Sequence, residues 1–180
     1  MTLHTKRAVT VVGILILFCV SFGFFYNLFH GNAKEKQRAL PTEVLNRRLP
    51  ETHLIDLSGE ELPRATLERG KVVLVLITEE CSLCLDEARF LGTVVNTRPD
   101  VRFYGVIPFG ADKGVLKSAE SKFPFKVYFD DGFRLGRALK IKEVPVKIYL
   151  EDGVIQKTWI GSTPYYHTED EFADWLQSLE

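Results

Sequence analysis

The chain has 180 residues, 46% hydrophobic and 26% charged, enough for one domain of ordinary size and a small additional segment. That composition excludes intrinsic disorder, a collagen-like repeat and a coiled-coil rod. With 23 Lys+Arg against 24 Asp+Glu the net charge is −1, so no basic excess points to nucleic acid, and three cysteines are too few for a disulfide scaffold.

Residues 1–7 form a short N-terminal tail. From Ala8 to Phe29 run 22 residues without a charge. As a helix this stretch would span roughly 33 Å, enough to cross a bilayer core. Its length exceeds the apolar region of a cleaved signal peptide, and Gly31-Asn32-Ala33 is only a passable cleavage site. Phe18 before Cys19 is too bulky for a lipoprotein acceptor, so Cys19 reads as an apolar residue in lipid. The segment is predicted to be a transmembrane anchor. Lys6 and Arg7 precede it, whereas Lys34, Lys36, Arg38, Arg47 and Arg48 follow it, a bias that by itself puts the remainder in the cytoplasm. Residues 30–50 read as a polar linker, and 51–180 as the folded domain.

Within that domain, His53-Leu57 reads as a strand ended by Ser58-Gly59, and Leu62-Glu68 as a strand and helical turn leading to Arg69-Gly70-Lys71. Val72-Ile77 is apolar throughout, which predicts a central strand covered on both faces. A helix follows from Ser82 to Asn96, with Leu85, Ala88, Leu91 and Val95 at helical spacing. Val101-Ile107 is a second buried strand, Asp112 caps a helix through Lys122, Val127-Phe129 is a short strand and Phe133-Lys140 a short helix. Val146-Leu150 and Val154-Ile160 form a hairpin around Glu151-Asp152-Gly153. Thr168 opens a closing helix with Phe172, Trp175, Leu176 and Leu179 facing inward. Strands alternating with helices, then a terminal hairpin and helix, predict a three-layer α/β sandwich with a mixed sheet.

The chemistry resides in Cys81-Ser82-Leu83-Cys84, a CxxC at the junction of a buried strand and a helix. The spacing allows the two sulfurs to close a disulfide. The helix N-terminus stabilises a thiolate on the more exposed Cys81, which would attack, while Cys84, buried one turn on, would resolve the mixed disulfide. The alternatives are a pair of buried thiols without function, or half a zinc site. For the latter the domain has no second CxxC and only His53 and His167 as histidines.

Several motifs occur in the order found in redoxin-type proteins of the thioredoxin fold: Asp56-Leu57-Ser58-Gly59, Gly70-Lys71-Val72-Val73-Leu74-Val75, the CxxC, Phe129-Asp130-Asp131-Gly132, Val144-Pro145 and Tyr149-Leu150-Glu151-Asp152-Gly153-Val154-Ile155. The chain most resembles the membrane-anchored TlpA/ResA-like thiol–disulfide oxidoreductases, over nearly all of the soluble domain. The resemblance implies a thioredoxin-like fold and an extracytoplasmic (periplasmic) domain on an inner-membrane anchor. It also implies disulfide exchange with protein substrates, often in cytochrome c maturation, fed by an upstream thiol electron donor. No cofactor, metal or nucleic acid is expected. Carried over, Cys81 matches the nucleophile, Cys84 the resolving cysteine, and Pro145 a cis-proline that turns the backbone of Val144 toward Cys81 to pair with an extended substrate. Glu87 matches the acid of a CxxCxxE pattern and is the expected proton acceptor for Cys84, its pKa raised if it is partly buried.

Departures from the family pattern are equally visible. Glu79 and Glu80 stand before Cys81 where an aromatic is usual, and two carboxylates there oppose thiolate formation. Val75 occupies the place of thioredoxin's buried aspartate, and Arg89 replaces a common proline. Other readings are a peroxiredoxin-like peroxidase, a copper chaperone or a non-catalytic interaction module. Thr78 suits the peroxidase, but Leu74 stands where its proline belongs. The two-residue spacer between the cysteines is shorter than a copper chaperone would use.

Overall fold

The computed structural model describes residues 44–78, 80–108, 113–166 and 169–179. The apolar run 8–29, most of the predicted linker, Glu79, the expected cap Asp112, His167 and Thr168 lie outside the described residues. Among the described residues no helix is long and apolar enough to cross a membrane.

The elements, in chain order, are β1 (Leu54–Ile55), α1 (Arg64–Leu67), β2 (Lys71–Leu76), α2 (Ser82–Val94), β3 (Val101–Ile107), α3 (Lys113–Lys122), β4 (Val127–Asp130), α4 (Arg134–Ala138), β5 (Val146–Glu151), β6 (Val154–Ile160), α5 (Thr163–Tyr166) and α6 (Glu169–Ser178). One six-stranded sheet runs in the order β1-β4-β3-β2-β5-β6. β2 pairs parallel with β3, and β3 with β4; β1, β5 and β6 join antiparallel. The predicted mixed sheet is therefore present.

β2 is buried from Val72 to Leu76 because it has a strand on either side and a packed layer on both faces. Its alternate residues enter two separate clusters. Val73 and Val75 pack with Cys84, Ala88 and Leu91 of α2, Leu116 and Ala119 of α3, and Phe172 and Leu176 of α6. Val72, Leu74 and Leu76 pack on the opposite face with Leu67 of α1, Leu135 of α4, Leu139 and Ile141. Two faces covered by helices account for the continuous apolar run in the sequence.

Three local features differ from expectation. The helix expected over Phe133-Lys140 is split: a 3-10 turn (Asp131–Phe133) precedes α4, with Phe133 in the left-handed region at φ 55°. Asp130, fully buried, accepts the N–H groups of Arg134 (3.0 Å) and Gly136 (2.9 Å), so its side chain starts the helix from beyond the kink. The first strand shrinks to Leu54–Ile55, as the chain turns on Asp56, whose Oδ1 accepts the N–H groups of Ser58 and Glu60. Finally, residues 46–49, read from sequence as the end of a linker, are clipped to β6. Asn46 donates to the Ile155 carbonyl, Ile155 to that of Arg47 and Leu49 to that of Gly153, each at 2.8 Å, and Leu49 is buried. The β5–β6 turn has Asp152 and Gly153 both at positive φ, the conformation a two-residue hairpin loop demands.

Candidate functional site

The chain leaves β2, passes Thr78 and turns at Cys81 into α2. Cys81 is the N-cap of that helix, extended at φ −86°, ψ 107°. Its Sγ accepts the Cys84 N–H at 3.1 Å, in the position an N-cap oxygen usually takes. A negative charge on Cys81 sulfur is thus met by a backbone donor and by the positive end of a 13-residue helix, the condition that lowers a thiol's pKa. Cys81 and Cys84 are joined in a disulfide with Cα atoms 5.2 Å apart. Cys84 is fully buried and Cys81 only partly, so solvent and any large partner meet Cys81 first. Glu80 is exposed beside it.

The opposite wall comes from the start of β5. The Val144–Pro145 bond is cis, as the resemblance implies, and the Val144 carbonyl oxygen lies 3.7 Å from Cys81 Sγ. Pro145 is buried and its carbonyl accepts the Gly161 N–H at 2.8 Å. The structure thus brings together Cys81, Cys84, Val144 and Pro145, the attacking sulfur and the Val144 carbonyl belonging to residues 63 positions apart in the chain.

Glu87 departs from the expectation of a partly buried acid. It is fully buried, and its carboxylate has three partners. Oε1 pairs with Lys147 Nζ at 2.9 Å and accepts the Thr163 hydroxyl at 2.9 Å, while Oε2 accepts the Thr163 N–H. Lys147 is fully buried too. It projects from β5, opposite Val75 of β2 and Trp159 of β6, and also donates to the Gly161 carbonyl at 3.2 Å. Burial pushes the Lys147 ammonium below its ordinary pKa, against the opposing pull of the Glu87 charge and hydrogen bond. The neighbouring Asp86 instead reaches outward to Arg89 at 2.8 Å.

Lys147 and Thr163 were not singled out from sequence. A signal for Lys147 existed: it is the one charged residue inside the otherwise apolar Val146-Leu150, and a charge in a strand that becomes buried requires a partner. Nothing local marks Thr163, which reaches Glu87 only through the turn after β6. Among the described residues no group of three or more His, Cys, Asp and Glu side chains is placed to hold a metal ion, and His53 pairs with Glu61 at 3.5 Å.

No protein-family model and no curated protein matches the sequence. Solved structures do. A secreted disulfide oxidoreductase of Mycobacterium tuberculosis, described as homologous to E. coli DsbE, superposes with a TM-score of 0.60 at 25% identity, over 73% of this chain and 98% of that one. The fold is thioredoxin-like. The M. tuberculosis DsbF structure, in mixed oxidised and reduced forms, matches with a TM-score of 0.58 at 21% identity, over 79% of this chain and all of that one. The thioredoxin domain of a Bacteroides vulgatus thiol–disulfide oxidoreductase matches with a TM-score of 0.57 at 20% identity, over 72% and 97%. The thioredoxin-like domain of this chain therefore has the architecture of thiol–disulfide oxidoreductases, with a dithiol pair at the start of its second helix.

Proposed function

We propose that this chain is a thiol–disulfide oxidoreductase that exchanges disulfides with protein substrates through Cys81 and Cys84. The observation that carries this reading is the geometry at Cys81: a partly exposed sulfur, capped by the Cys84 N–H at a helix start, facing the Val144 carbonyl beside a cis-proline. In the reductive direction the Cys81 thiolate attacks a substrate disulfide and displaces one substrate sulfur as a thiolate. Cys84 then attacks Cys81, releasing the second substrate thiolate and leaving the Cys81–Cys84 disulfide. Two electrons pass to the substrate. The backbone at Val144 offers an extended substrate segment a strand-like partner next to the sulfur.

The finer reading is a membrane-anchored reductase of the TlpA/ResA type, with its domain on the extracytoplasmic side, working on cytochrome c maturation clients and recharged by a thiol donor. The uncharged run Ala8–Phe29 and the ordered motifs support it. Insulin-disulfide reduction by the purified protein, measured beside peroxide consumption and Cu(I) binding, tests the reaction class. Reduction that disappears in Cys81→Ser is the expected result; peroxide turnover or Cu(I) capture without insulin reduction refutes it. Protease protection on intact cells tests the topology, and a domain reached only after the inner membrane is breached refutes the extracytoplasmic placement.

A further inference from the structure

The Glu87–Lys147 pair is fully buried, with Glu87 one helical turn past Cys84 on α2, where an apolar contact would serve packing as well. We propose that Lys147 is the positioning residue for proton transfer at Cys84: its ammonium group holds Glu87 as a carboxylate inside the core and supplies the positive charge that a Cys84 thiolate faces once the proton has moved. This deepens the exchange reading and rests on it.

Glu87 follows Cys84 by three residues on α2, so the two side chains lie on nearly the same helix face, and both are fully buried. Lys147 Nζ meets Glu87 Oε1 at 2.9 Å as its counter-charge, fixed in turn by the Gly161 carbonyl at 3.2 Å and lying over the Phe172 ring of α6 at 5.7 Å. Among the described residues, Glu87 and Lys147 are each other's sole ionic partner. Among the described residues, the pair's other hydrogen-bond and ring partners are uncharged: the Thr163 hydroxyl and N–H of α5, the Gly161 carbonyl and the Phe172 ring. Tyr149, two residues along β5 in the same cluster, is neutral, its hydroxyl pushed up to about 12 by burial. Lys157 of β6 lies over the rings of Trp159 and Trp175, and Asp86 of α2 is taken by Arg89.

The step balances within the core. In the mixed disulfide the Cys84 S–H passes its proton to a Glu87 oxygen. Its electron pair forms the bond to Cys81 Sγ, and the bond from Cys81 to the substrate sulfur breaks, its pair leaving on the substrate thiolate. Before transfer the buried groups are a thiol, a carboxylate and an ammonium; at the point of transfer they are a thiolate, a carboxylic acid and an ammonium. The net charge is zero in both arrangements, so no charge has to be created in a low-dielectric site.

The test reads Cys84 directly. In the full chain with Cys19→Ala and Cys81→Ser, thiolate ultraviolet absorbance is followed against pH for four proteins: this parent, Lys147→Met, Glu87→Gln and the double variant, each checked for folding by circular dichroism. Lys147→Met should raise the Cys84 midpoint by about one pH unit or more, about tenfold less thiolate at a given pH. Glu87→Gln, which leaves the cation without its carboxylate, should lower it. Where Lys147→Met does not fold, the double variant, with neither charge buried, carries the comparison: it should titrate about one unit above Glu87→Gln. Coincidence of the double variant with Glu87→Gln, or a Lys147→Met midpoint at or below the parent, overturns the proposal. Because this titration needs no substrate, failure of the exchange reading shows separately, as wild-type protein that does not reduce insulin.

Discussion

Replacing Glu87 by leucine probes the most consequential contact in the core. The substitution keeps side-chain volume but leaves Lys147 Nζ, now 2.9 Å from nothing charged, in a site with no solvent exposure. It also removes the acceptor for the Thr163 N–H and hydroxyl. Breaking a buried pair by deleting one partner costs about 3–5 kcal/mol. An orphaned buried N–H adds about 1–3 kcal/mol. The sum, roughly 4–8 kcal/mol, is a large part of the roughly 5–15 kcal/mol that holds a typical domain together. The pH dependence has a definite sign. Lys147 already titrates below its ordinary 10.5 through burial, and Glu87→Leu removes the two influences that raise it, so its native pKa falls further. Below the native value both states carry the proton and the cost is complete. Between the native value and 10.5 the unfolded chain binds a proton that the native state does not, so stability rises with pH at up to ~1.4 kcal/mol per unit. Urea unfolding of wild type, Glu87→Leu, Lys147→Met and the double variant, at about pH 7 and about pH 9, measures all of this. Each single variant should lose several kcal/mol, the double should recover to within about 2 kcal/mol of wild type, and Glu87→Leu should gain stability on going alkaline more steeply than wild type. Single losses below about 1 kcal/mol, or a double loss equal to the sum of the singles, would refute the reasoning.

Three further outcomes are expected. Cys84→Ala should accumulate mixed disulfides through Cys81, seen by mass spectrometry, and in the reduced wild type Cys81 should alkylate faster than Cys84. Asp56 is held well below the ordinary carboxylate range, first by the Lys126 ammonium at 2.6 Å and then by the Ser58 hydroxyl. Its stabilisation is complete above the unfolded value near 3.8 and lost as pH falls through and below it, so Asp56→Asn should show a shallower acid limb in thermal melts against pH. Gly136→Ala should destabilise by about 1–3 kcal/mol in chemical denaturation, because a Cβ there meets the Phe133 ring, whose backbone is held in the left-handed region.

What the sequence by itself determined is what neighbouring residues decide among themselves. The apolar run of β2 announced a strand covered on both faces, Asp152-Gly153 announced a tight hairpin, and the CxxC fell at a strand-to-helix junction, where a helix start favours a thiolate. These signals work because periodicity, turn chemistry and helix capping act over a few residues. The kink at Phe133 was already less legible, since it depends on Asp130 bonding forward to Arg134 and Gly136 rather than on helix propensity. The resemblance pointed Val144–Pro145 toward Cys81, but contact across 63 residues exists only once β5 lies beside β2. Glu87 shows the limit most clearly. From sequence it could be a solvated helix residue or a proton acceptor, and its spacing from Cys84 is the same in both cases. The choice rests on Lys147, brought from β5, and Thr163, 76 residues along the chain. Burial and counter-charge govern a carboxylate's protonation, and both are supplied by chain segments that only the tertiary structure brings to it.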